Sequence, residues 1–103
     1  MNAVNLRVEV HCLKPSWVNY ENNNYRVYLN DDLLTERTWI WLKTTVIDEN
    51  IWVNIPVGST NTVRVDIVLQ EKSVAKFALR NLRVIDIPYT TTHINDLTIS
   101  FTI

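Results

Sequence analysis

Short runs in which apolar and polar residues alternate recur along this chain, and they constrain its fold more than any other feature. The first run covers residues 4–12, where the even positions are Val, Leu, Val, Val and Cys. A period of two sends successive side chains to opposite faces of a β-strand. No segment shows a sustained helical period, so the sequence predicts an all-β protein. The same alternation recurs in four later segments, 25–29, 47–55, 63–69 and 97–103.

Length and composition agree with this class. The chain has 103 residues, 47% of them hydrophobic, and Val, Ile and Thr fit a pleated surface better than a helix. A chain of this size suits one domain, which we place at residues 1–103. About seven strands at near-regular spacing predict a single β-sandwich, jelly-roll or immunoglobulin-like, with a barrel as the second choice. The connectivity of the strands stays open.

Turn residues and changes of phase give further local predictions. Asn30-Asp31-Asp32 and the segment 56–61, which holds the only glycine, are predicted turns. The apolar phase shifts near Asn81, which indicates a β-bulge. Leu33–Leu42 reads as a strand covered on both faces, as at the centre of a sheet, and Pro88–Asn95 as a polar loop.

Charge and cysteine content exclude several classes of partner. The formal net charge is −1, and no basic cluster is present, so we expect no nucleic-acid partner. No apolar run reaches 18 residues, and the start MNAVNLRVEV alternates like a strand, so we expect neither a membrane span nor a secretory signal. Cys12 is the only cysteine; its phase predicts a small core residue, and a lone thiol suits assembly in a reducing cytoplasm.

The usual parts of an active site are missing from the sequence. A single glycine excludes a glycine-rich phosphate loop, and one cysteine with two distant histidines excludes a zinc motif. His93 stands near threonines and an aspartate but without a nucleophile elbow, so a solvated histidine is the favoured reading. We therefore predict no enzyme, no catalytic residue, no cofactor and no metal site. Whether the acidic turn Asp31-Asp32 binds calcium stays open.

Aromatic residues are the more informative set. Tyr28 and Trp52 lie out of phase with the aliphatic residues of their strands, which makes them candidates for an outward patch; packing under a second covered face is the favoured interpretation. Aromatic side chains are enriched at interfaces, where one end is apolar and the other wet. Our predicted binding residues are Tyr28, Trp52, Trp17 and Tyr89.

Three segments, YRVYLNDDLLTERTWIW, ENIWVNIPVG and FALRNLRV, resemble those of small virion proteins of tailed bacteriophages, especially of the marine cyanophage type. The resemblance covers roughly residues 15–87, and the ending TTTHINDLTISFTI departs from it. It implies a β-sandwich located in the virion, as a capsid decoration or a tail-associated protein, and it brings no catalytic residues.

Two functions are therefore expected from the sequence. The first is a non-enzymatic virion protein that contacts a phage capsid or tail protein, or forms a homo-oligomer. The alternative is a carbohydrate-binding module that holds a glycan on exposed aromatic residues, with calcium assisting at the acidic turn. The last strand, Leu97–Ile103, is also expected to form an open sheet edge that pairs with a neighbouring chain.

Overall fold

The computed structural model of the chain describes residues 2–14, 23–39, 46–68 and 76–103. Within these ranges every regular element is a β-strand, as the alternating pattern predicts. The eight strands are β1 (Asn2–Lys14), β2 (Asn23–Leu29), β3 (Asp32–Trp39), β4 (Val46–Ile55), β5 (Thr60–Val68), β6 (Lys76–Ile85), β7 (Thr90–Asn95) and β8 (Thr98–Thr102).

The strands form two antiparallel sheets. A three-stranded sheet has the order β4-β1-β6, and a five-stranded sheet has the order β3-β2-β5-β8-β7. The sheets pack face to face as a sandwich, which confirms the predicted fold class, and the described strands do not close into a barrel. The described part of the chain contains no helix that is long and apolar enough to cross a membrane.

The hydrophobic core lies between the sheets and is built from the inward residues of each alternating run. Four even positions of β1 line it from the three-stranded sheet, and odd positions of β2, β5 and β8 line it from the five-stranded sheet. Cys12 packs against this core, as predicted. The largest fully buried apolar side chains, apart from Tyr25, are Phe101, Leu6, Ile55, Leu79 and Ile99.

The predicted turns and the predicted bulge are present. Asn30 and Asp31 have φ values of 49° and 73°, the backbone of a two-residue type I′ hairpin between β2 and β3. Gly58 has a φ of 76° in the turn that joins β4 to β5, where Ser59 N donates to the Pro56 carbonyl at 3.2 Å. Asn81, with a φ of 54°, sits at the register shift between β6 and β1. Asparagine tolerates this left-handed backbone better than most residues do.

Three local predictions were wrong. The segment 90–95 is not a loop but strand β7. None of its side chains is buried, so its sequence lacks the alternation of apolar and polar residues that marked the other strands. The last strand is not an open edge, since β8 lies between β5 and β7 and pairs with both. The predicted central strand Leu33–Leu42 is described only to residue 39, within β3. Among the described strands β3 is an edge strand that pairs with β2, and most of its described side chains are exposed.

Candidate functional site

Trp52 stands on the outer face of the three-stranded sheet, with 70% of its surface exposed. Its neighbours Val53 and Ile51 turn towards the core, so the alternation of β4 sends the indole to solvent. Asn5, on the central strand, lies directly opposite Trp52 on one side and opposite Ile85 on the other. These three residues form one row across the sheet, with a large aromatic side chain at one end.

A second row lies beside the first and holds it in place. Arg7 is opposite Asn50 on β4 and opposite Arg83 on β6. The Arg7 Nε donates to Asn5 Oδ1 at 3.2 Å, and Asn5 Nδ2 donates to Asn50 Oδ1. Asn5 is only 6% exposed. Because Asn5 is buried and bonded on both sides, it fixes the direction of the Arg7 guanidinium next to Trp52.

The two rows border an open groove of about 360 Å³, which we call the Trp52 groove. It combines an aromatic plane, aliphatic surface, a guanidinium, an amide and a carboxylate within one concavity. Such a mixture of apolar wall and a few polar groups is typical of binding sites. The groove is lined by Ala3, Asn5, Arg7, Trp52, Ile85, Asp86 and Ile87.

Tyr28 lies elsewhere, on the outer face of the five-stranded sheet. The guanidinium carbon of Arg64 sits 4.6 Å from the centre of its ring, a cation–π contact. Arg64 in turn donates to Asp31 at 2.9 Å and to Asp66 at 3.0 Å. One face of the Tyr28 ring is therefore covered by its own sheet. Tyr28 and Trp52 belong to different sheets, so they do not form the single outward patch that the sequence suggested.

The other two predicted binding residues are separate from the groove or undescribed. Tyr89 lies in the connection between β6 and β7 and is 37% exposed. Trp17 falls outside the described residues. Among the predicted binding residues that the structure describes, Trp52 lies in a groove with polar neighbours.

Sequence reasoning missed a polar cluster in the interior. Glu49 is 1% exposed and accepts a hydrogen bond from the Tyr25 hydroxyl at 2.5 Å and another from Arg37 Nε. Burial, reinforced by the Glu49 carboxylate, raises the pKa of Tyr25 far above its usual range, and the hydrogen bond with Glu49 raises the pKa of Arg37. We call these residues the interior cluster. Position 49 is in phase with Ile47 and Ile51, a signal that would have placed Glu49 inside.

Two further carboxylates, those of Glu9 and Asp96, contact polar side chains outside the interior cluster. Glu9 accepts from Asn81 at 2.8 Å and contacts His11 at 2.7 Å, and these two hydrogen bonds, that of His11 foremost, lower the pKa of Glu9. His93 is exposed on β7, and Asp96 pairs with Arg80 at 3.3 Å. In the described ranges no three His, Cys, Asp or Glu side chains are grouped to hold a metal ion. At the acidic turn, a calcium ion would have to compete with Arg64 for Asp31.

Comparisons with protein-family models, with curated proteins and with solved structures found no match for this chain.

Proposed function

We propose that this chain is a non-enzymatic structural protein of a phage virion, a capsid decoration or other surface component, that docks on a capsid or tail protein through the outer face of its three-stranded sheet. The observation that carries the proposal is the exposure of Trp52 in a groove with fixed polar neighbours. The location in a virion rests on the sequence resemblance.

The groove suits protein docking for two physical reasons. Tryptophan and arginine are the residues that most often dominate the energy of protein interfaces, and here they are neighbours on a rigid sheet. The chain of hydrogen bonds from Arg7 through Asn5 to Asn50 also reduces the entropy that Arg7 would lose on binding. The site is therefore preorganised before a partner arrives.

The test is co-sedimentation of the purified protein with phage particles that lack it. We expect the wild type to bind at a fixed copy number, counted by quantitative mass spectrometry, and Trp52→Ala to bind at least about tenfold more weakly. Leu33→Ala is the matched control, because Leu33 is also an exposed large hydrophobic residue, on β3 of the other sheet. Equal binding by Trp52→Ala and the control would refute docking through this face.

A carbohydrate-binding module is the second candidate, favoured by the polar lining of the same groove. Asn5, Arg7 and Asp86 surround the indole with donors and acceptors that could bond sugar hydroxyls. Asp31 and Asp32 lie on the β2–β3 turn of the five-stranded sheet, so calcium there would not assist a glycan in the groove.

A glycan array separates the two candidates. Selective binding of a glycan by the wild type, abolished in Trp52→Ala and unchanged by a calcium chelator, would support the carbohydrate function. An array without signal, together with copy-number-limited binding to particles, would support docking on a virion protein.

A further inference from the structure

Arg7 and Arg83 lie directly opposite each other on neighbouring strands of the three-stranded sheet. Both residues are exposed, and the buried positions on either side of Arg83 in β6 show that it faces outward, as Arg7 does. Residues directly opposite on antiparallel strands have Cβ atoms about 5 Å apart, and like charges placed there repel each other. The pair therefore opposes folding of the isolated chain.

These two arginines also differ from the others in having no ion pair within the described part of the chain. All six arginines of the sequence fall in that part. The other four each pair with a carboxylate: Arg26, Arg37, Arg64 and Arg80. No side-chain hydrogen bond to a described residue engages Arg83, and Arg7 uses only its Nε, which donates to Asn5. Most N–H donors of the two guanidiniums are therefore available to a ligand.

The acidic residue that follows Arg7 on the same face of β1 is already bonded elsewhere. Glu9 contacts His11 at 2.7 Å and accepts from Asn81, at the bulge of β6, at 2.8 Å. Among the ion pairs of the described residues, none joins Glu9 to either arginine. The bulge thus engages the carboxylate that would otherwise neutralise the pair.

The arginines line a small concavity of about 120 Å³, which adjoins the Trp52 groove because Arg7 borders both. Since a water molecule takes about 30 Å³, this space suffices for one carboxylate group and water. Asn50 also lines the concavity, and its amide N–H groups are not used in its bond with Asn5, in which it accepts. The concavity therefore offers donors from three side chains.

Acidic residues nearby restrict the anion that can bind. Glu9 and Asp48 lie opposite each other in the next row of the sheet, and Asp86 lines the Trp52 groove. A planar group with one negative charge can bond both guanidiniums, whereas a dianion or a chain of phosphates would be repelled more strongly by these carboxylates. The surroundings therefore favour a single carboxylate.

We infer that Arg7 and Arg83 form a carboxylate-binding site beside Trp52, and that this site binds an Asp or Glu side chain of the capsid or tail protein. The second part of the inference rests on the docking function proposed above. The guanidiniums donate to the carboxylate while the indole packs against apolar atoms next to it. A carboxylate between the arginines also offsets their repulsion, so the pair is unfavourable in the free protein and favourable in the complex.

The first experiment uses the protein alone, with acetate as the carboxylate probe. Heteronuclear NMR follows the arginine Nε–H signals while sodium acetate is compared with sodium chloride at equal ionic strength. We expect saturable shifts of the Arg7 and Arg83 signals with acetate only, and none for Arg26, whose Nε is bonded to Glu36. In Arg83→Gln the shift of Arg7 should shrink. Absence of an acetate-specific shift at Arg7 and Arg83 would overturn the inference.

Co-sedimentation with phage particles tests the partner. Arg83→Gln removes one charge, and we expect it to bind at least about tenfold more weakly, with a flatter dependence on salt concentration. Trp52→Ala should also bind more weakly but keep the salt dependence of the wild type. The matched control is Arg80→Gln, the same change on the same strand at an arginine that already pairs with Asp96.

Urea unfolding shows whether Arg83→Gln is intact. Because the repulsion with Arg7 is removed, its midpoint at low salt should equal or exceed that of the wild type. A lower midpoint would mean that Arg83 stabilises the fold, and it would overturn the argument that the pair is unfavourable in the free protein.

The outcomes separate this inference from the proposed function. If Trp52→Ala weakens binding while Arg83→Gln binds like Arg80→Gln, docking stands and the acidic partner is refuted. If the wild type does not bind particles, the docking function fails with the acidic protein partner, and the acetate titration alone decides whether the site exists. Selective binding of acidic glycans on an array, lost in Arg83→Gln, would assign the carboxylate to a sugar and overturn the protein partner.

Discussion

The interior cluster and the Trp52 groove are two polar arrangements of similar construction in opposite surroundings. In both, a polar side chain with almost no exposure is bonded on two sides, Glu49 to Tyr25 and Arg37 in the interior, Asn5 to its two neighbours in the groove. The interior cluster joins β4 of one sheet to β2 and β3 of the other. The hydrogen-bonded residues beside the groove, Arg7, Asn5 and Asn50, lie within a single sheet, on its solvent side. The first therefore holds the sandwich together, and the second shapes a surface.

The difference follows from where the bonded groups end. A carboxylate enclosed between two sheets cannot exchange a lost partner for water, so each hydrogen bond to it matters for stability. In the groove the chain of bonds ends at a guanidinium that reaches a solvent-filled concavity. Water can replace a lost hydrogen-bond partner there, so such a loss should lower binding affinity more than the stability of the fold. Substitutions can test this contrast directly.

The largest effect is expected for Arg37→Ala. The change leaves Glu49 enclosed with its charge and one partner fewer, and breaking a buried pair in this way costs about 3–5 kcal/mol. Because the Arg37 side chain is itself 51% exposed, we expect about 3 kcal/mol, measured by urea unfolding.

Arg26→Ala is the matched control for that experiment. Arg26 pairs with Glu36 across the same two strands, β2 and β3, but both side chains are exposed. Because water screens this pair, it contributes almost nothing to the free energy of unfolding, and the urea midpoint should hardly change in Arg26→Ala. Equal losses in Arg26→Ala and Arg37→Ala would mean that the burial of Glu49 does not govern its contribution.

Tyr25→Phe should have the next largest effect. The variant keeps the buried ring and removes only the hydroxyl that donates to Glu49 at 2.5 Å. A hydrogen bond to a charged group contributes about 1.5–3 kcal/mol, so we expect a loss of about 2 kcal/mol in the free energy of unfolding. The double variant with Arg37→Ala should lose less than the sum, because both changes act on one carboxylate. If the stability losses of Tyr25→Phe and Arg37→Ala were additive in the double variant, the two residues would not act on the same carboxylate.

Trp52→Ala should have the opposite effect, a loss of binding with little change in stability. The indole is mostly exposed, so its removal should change the free energy of unfolding by no more than about 0.5 kcal/mol. Binding to particles or glycan should nevertheless fall, as argued for the groove. A loss of stability comparable with that of Tyr25→Phe would show that Trp52 stabilises the fold, as the residues of the interior cluster do.

Sequence reasoning reached the elements whose pattern is set by the core. The alternation in β1, β4 and β5 predicted which residues face inward, and the same phase made Trp52 a candidate for an outward position. Asn30 and Gly58 identified turns because few other residues adopt a positive φ readily. These features are local, so a single sequence carries them.

The features that sequence reasoning missed depend on contacts between residues that are far apart in the chain. Strand β7 shows no alternation because the opposite sheet does not cover it, and hydrogen bonds to β8 make it a strand. The separation of Tyr28 from Trp52 depends on which sheet each strand joins, which no local pattern records. The burial of Glu49 was not predicted because carboxylates are seldom buried, and its partners are 12 and 24 residues away in the chain.

The smallest effect concerns Glu9, an accessible counterpart of Glu49 on the outer face of the three-stranded sheet. Hydrogen bonds from His11 and Asn81 lower the pKa of Glu9 below its ordinary 4.5, so the native state prefers the ionised form. A lowered native pKa stabilises the fold above the unfolded pKa, and this contribution is lost as the pH falls through the native value. Glu9→Gln should therefore be less stable than the wild type at pH 7, by less than about 1 kcal/mol because the groups are partly exposed. Urea unfolding at pH 7 and at about pH 3 should show the difference shrinking with acid. A difference that persists unchanged at low pH would mean that Glu9 contributes through packing, as an interior residue does, and not through its charge.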